Sequence, residues 1–82
     1  MEDKTDLPDV SCEKKELILA TLNEVYSSLK ERGYNPIDQL VGYITSGDPG
    51  YISNYKGSRN KLLKFELNEI LIVVLKDYLD KE

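Results

Sequence analysis

Four cations fall within eleven residues of this 82-residue chain: Lys56, Arg59, Lys61 and Lys64, in the acid-free segment NYKGSRNKLLK at positions 54–64. Cations at this density can hold an acidic protein surface or pair with the chain's own carboxylates. The rest of the chain is acidic. Its formal net charge is −4, and from Glu66 to Glu82 five acids stand against two bases. A local basic patch on an acidic protein suggests an acidic partner or pairing between subunits, with a solvated helix face as the plain alternative. The balance counts against a nucleic-acid binder, whose affinity rests on neutralising phosphates.

Other chemistry is thinly represented. There is no histidine, the commonest general base. Carboxylates are numerous, but no spacing singles out a pair. The GSR of residues 57–59 lacks the glycine and Lys-Ser/Thr spacing of a phosphate loop. Tyr34, Tyr43, Tyr51 and Tyr55 could stack bases, but core-edge residues with hydroxyls turned to water or backbone are the simpler reading. Cys12 is the lone cysteine, so the chain has no internal disulfide, and the lone thiol fits a reducing cytosol. No enzyme, metal or cofactor is expected.

These residues need elements to position them. Residues 1–10, MEDKTDLPDV, are polar and aperiodic and read as a flexible N-terminal tail. Residues 11–82 then form one small all-α domain. Ser11 is an N-cap for a first helix, with Glu13 at its positive end. Ile18, Leu22, Val25 and Leu29 recur at helical spacing, and Leu17 and Tyr26 widen the stripe. Gly33 ends that helix. Asn35 followed by Pro36 caps the next, whose stripe is Ile37, Leu40, Val41 and Ile44. Gly42 inside it costs about 1 kcal/mol relative to alanine, and close approach of another backbone is one reason to tolerate that. Gly47 stops the helix, and Asp48-Pro49 starts a short turn through Tyr51 and Ile52.

After a connector, Ser53 to Gly57, one long helix is expected from Ser58 to about Asp80, kinked near Phe65. A strand reading of ILIVVL, residues 70–75, competes and loses on length and flanks. That run leaves no polar face, so the helix should be enclosed on several sides. A chain this short has difficulty burying enough apolar surface alone. A homodimer is therefore expected, with Leu67, Ile70, Leu71, Val74 and Tyr78 in its interface. No apolar run approaches the length that spans a bilayer, and no signal peptide is evident. The expected location is the cytoplasm, without membrane insertion.

The stretch LKERGYNPIDQLVGYITSGDPGYI, residues 29–52, closely resembles the signature of the IreB family, also called ReoM, with Asp38 for the usual asparagine. The likeness extends from about Val25 to Leu79, through Arg59, Glu66, Glu69, Ile70, Lys76, Tyr78 and Leu79. It implies a helical homodimer whose tail is phosphorylated on a threonine by a membrane Ser/Thr kinase and dephosphorylated by a cognate phosphatase. It further implies control of peptidoglycan synthesis and cephalosporin resistance, in one branch through Clp-protease turnover of the first enolpyruvyl transferase. Thr5 lies in the corresponding part of the tail. Arg59, Lys61 and Lys64 are the expected partner-binding residues. Asn54, Leu63 and Leu67 stand where the family often has arginine, and Ile72 and Val73 where it usually has acids. The reading from a different class is a small helix-turn-helix DNA-binding regulator, using NPIDQLVGYI and the helix after Gly57.

Overall fold

The computed structural model describes residues 10–80, which are all-α with no strand among them. Helix α1 spans Cys12–Arg32, α2 Pro36–Ser46, α3 Ser58–Leu62 and α4 Leu67–Leu79, with 3-10 turns at Pro49–Tyr51 and Tyr55–Gly57. The long α1 packs against α2, α3 and α4.

Local chemistry sets most of the boundaries. Ser11 Oγ accepts from the Lys14 backbone N–H at 3.1 Å, satisfying one of the donors left free at a helix start. Gly33 adopts φ 95°, a conformation side chains resist, and closes α1. Its N–H reaches Lys30 O while the Tyr34 N–H reaches Leu29 O, both at 3.0 Å. Asn35 and Asp48 each cap the element after them with a proline in its first turn. Arg59 Nε donates to Ile52 O at 2.9 Å, pinning the connector against α3.

The core joins Ile18, Val25 and Leu29 of α1 to Tyr43, Ile52, Leu62, Phe65, Ile70 and Val73. Val10, assigned from sequence to the tail, packs against this core.

Three expectations are corrected. The helix from Ser58 to Asp80, expected with a kink near Phe65, is two helices, the kink being a full break across residues 63–66. Glu66 turns extended at ψ 147°, and its N–H donates to Glu69 Oε1 at 3.1 Å. The break lets both Leu62 and Phe65 enter the core and brings Glu69 to Lys14 Nζ at 2.6 Å. Gly42 accommodates a ring where a backbone was expected: a Cβ there would stand 2.5 Å from Tyr51 Cδ1. Finally, α2 buries Tyr43, while Ile37 and Val41 of its expected buried stripe are 56% and 51% exposed. Leu17 and Tyr26 of α1 are also exposed.

Candidate functional site

The basic segment arrives on the surface largely occupied. Lys61 Nζ donates to Glu24 Oε2 and Lys56 Nζ to Glu31 Oε1, each at 2.9 Å. Within one chain, the acids that meet these lysines belong to α1. The hydrogen bond from Lys56 to Glu31, reinforced by that carboxylate's charge, raises the lysine's pKa above its ordinary value. Arg59 is half-buried and spends its Nε on the backbone of Ile52. Of the three residues expected to face a partner, only Lys64 is both exposed and without an ion pair among the described residues. Exposed ion pairs are weak, about 0–1 kcal/mol, so an acidic partner can compete for Lys61. Arg59 is a positioning residue.

The tyrosines occupy separate settings. Tyr43 is core, Tyr51 lies against Gly42, and the Tyr55 ring has Arg32 and Lys56 each 5.7 Å from its centroid. At the end of α1, Lys30 stands 5.5 Å from the Tyr26 centroid. Cations over rings at these distances are modestly favourable. Among the described residues no cluster of three His, Cys, Asp or Glu could hold a metal ion.

The second surface is apolar. A groove of about 340 Å³ runs between α1, α2 and α4, walled by Tyr26, Ile37, Val41, Ile70 and Val74. Beyond it the end of α4 is exposed from Val74 onward, with Tyr78 at 73%. Of the five positions assigned to a dimer interface, Ile70 is 3% exposed and serves the chain's own core. Leu67 and Leu71 are half-buried, and Val74 and Tyr78 are open to solvent. In one chain, then, the apolar run is enclosed on one side.

Sequence reasoning missed Tyr26, Ile37 and Val41 as surface residues. The available signal was Tyr43, an apolar residue off the Ile37, Leu40, Val41 and Ile44 stripe, which gives α2 a second side to bury. It also missed the buried Glu69. Hydrogen bonds from Lys14 and from the Glu66 backbone hold its carboxyl below the usual carboxylate range. Thr5 lies outside the described residues. No described helix is long and apolar enough to cross a membrane, and α3, with five residues, is too short to serve as a recognition helix.

The family model described as IreB regulatory phosphoprotein matches residues 3–80. That span takes in Thr5, both surfaces and the whole described bundle. With nearly the entire chain matched, the protein belongs to the IreB family of regulatory phosphoproteins.

Proposed function

We propose that this protein is a non-enzymatic cytoplasmic regulator, working as a homodimer through protein–protein contacts under the control of a Ser/Thr kinase and its cognate phosphatase. Thr5 is the phosphorylated residue. The regulated process is peptidoglycan synthesis, and with it cephalosporin resistance, through Clp-dependent turnover of the first enolpyruvyl transferase. Family membership over residues 3–80 carries the reading. A phosphate on Thr5 adds about −1.5 to −2 charges beside Glu2, Asp3, Asp6 and Asp9. The added charge alters which basic or acidic partner the protein can meet. Lys64 and Lys61 are the cations best placed to touch an acidic partner, with Arg59 supporting their segment.

The test is to incubate the protein with a cognate kinase, map the phosphate by mass spectrometry, and compare tagged pull-downs with and without phosphorylation. Phosphate on Thr5 and a changed set of captured cell-wall or Clp components are expected. Modification only elsewhere, with Thr5→Ala behaving like the parent in cells, would overturn the site.

A further inference from the structure

One carboxylate fixes the starts of two helices. Glu69 Oε1 accepts the Glu66 N–H at 3.1 Å, closing the capping box of α4. Its Oε2 accepts Lys14 Nζ, from the first turn of α1, at 2.6 Å. Glu69 is 8% exposed. The Lys14 side of this contact adjoins the tail: Ser11 caps α1, and Val10 packs against the core. Lys14 and Lys15 are the first described cations after Thr5, and Lys15 forms no ion pair among the described residues. We propose that a phosphate on Thr5 draws Lys14 away from Glu69 and so loosens the start of α4. This inference rests on the reading of Thr5 as the phosphorylated residue and supplies a route from that residue into the bundle.

Reach selects this pair. The chain from Thr5 to Val10 spans at most about 18 Å, and Lys14 follows within the next helical turn. The Lys56–Glu31 pair stands about 26 Å further along α1, outside that span. Charge favours the exchange. The phosphate carries about −1.5 to −2 charges against the single charge of Glu69, and the positive end of α1 favours an anion here. Glu13 is the one acid in that turn. Burial sets the consequence. A carboxylate this enclosed is costly without its cation, and the relief open to Glu69 is to turn toward water. That movement gives up the Glu66 N–H and frays the first turn of α4, the helix that carries Ile70 and Val73 into the core.

Cys12 allows a test that needs no kinase. A synthetic peptide of residues 1–11, with or without phosphate on Thr5, is ligated as its thioester to a recombinant chain beginning at Cys12, which gives the full protein in both forms. Hydrogen exchange at the amides of Glu69, Ile70 and Leu71 is then compared. With phosphate these amides should exchange about threefold faster, the size of one partly exposed charge contact, while those around Val25 keep the parent rate. In Lys14→Gln their exchange should be fast in both forms. Lys14→Arg, which keeps the ion pair, should restore the response to phosphate. No change on phosphorylation of the parent, or an equal change in Lys14→Gln, overturns the latch. Because synthesis places the phosphate, that result leaves the kinase assignment of Thr5 to its own mapping experiment.

Discussion

The α1–α3 seam and the α1–α2–α4 groove use the same central helix in opposite ways. At the seam, charges that look available in the sequence are paired within the chain: Lys61 with Glu24, Lys56 with Glu31, and Arg59 with a backbone carbonyl. At the groove, side chains that look like core are left in solvent. Residue type alone thus misidentifies both surfaces. A lysine near a glutamate gains little in water, whereas each half-exposed apolar side chain of the groove forgoes about 1 kcal/mol of further burial, and there are several of them. The stronger pressure for a partner therefore lies at the groove.

The largest expected effect comes from two adjacent residues. Val73 is 1% exposed and Val74 40%. Val73→Asp places an unpaired carboxylate in the core and should cost more than about 4 kcal/mol, enough to unfold a small domain. Val74→Asp in a dilute single chain should cost less than about 1 kcal/mol, as surface changes do, while abolishing self-association. Chemical denaturation at two protein concentrations separates these outcomes. Equal destabilisation at both positions, independent of concentration, would erase the distinction between core and groove wall.

The next effect is smaller and steric. Gly42→Ala gains about 1 kcal/mol of helix propensity but drives a methyl into the Tyr51 ring. Overpacking of this kind costs about 1–3 kcal/mol, so a net loss near 1 kcal/mol is expected. The double variant Gly42→Ala with Tyr51→Ala should recover the propensity gain, read as non-additivity in a double-mutant cycle.

How far these features were legible depends on their range. Ser11, Gly33, Asn35-Pro36, Gly47 and Asp48-Pro49 fix their boundaries through contacts a few residues away, and each boundary can be read directly from sequence. The break before α4 is legible in part. A kink near Phe65 can be read, and the Glu66–Glu69 pair that caps α4 is local. The contact of Glu69 with Lys14, fifty-five positions earlier, leaves no local signal. The open face of α4 is half-visible, as too many apolar residues for one stripe, and that of α2 only through Tyr43, which lies off the stripe. Which of those residues the chain covers is settled by where α1 lies. The lysine pairings of the seam carry no local signal at all.

The Glu69 contact gives the comparison a pH axis. Its carboxyl is held below the ordinary range by Lys14 and by the Glu66 N–H. A depressed folded-state pKa means that the ionised form favours the fold. The stabilisation is complete above the unfolded value of about 4.3 and is lost as pH falls through that value and the lower folded one. Thermal melts between pH 6 and pH 3 should show a declining midpoint, and Glu69→Gln should flatten that slope while lowering the midpoint at neutral pH. A slope unchanged by Glu69→Gln would assign the acid sensitivity to other carboxylates.

The smallest stability effect bears most directly on whether the seam is structural or partner-facing. The Lys61–Glu24 pair is partly exposed, at 31% and 58%, so a double-mutant cycle should give a coupling of at most about 1 kcal/mol that shrinks with salt. Reversing Arg59 together with Lys61 and Lys64 would confuse matters, because Arg59 also pins the connector to α3. The cleaner variant exchanges the pair, Lys61→Glu with Glu24→Lys. It conserves net charge and the ion pair and moves the cation from α3 to α1. If the seam only holds α3 to α1, melting temperature and partner capture should both match the parent. If Lys61 touches an acidic partner, stability should hold while capture falls, and falls further when Lys64→Glu is added. Unchanged capture in that triple variant would leave the seam an internal contact and assign partner recognition elsewhere on the molecule.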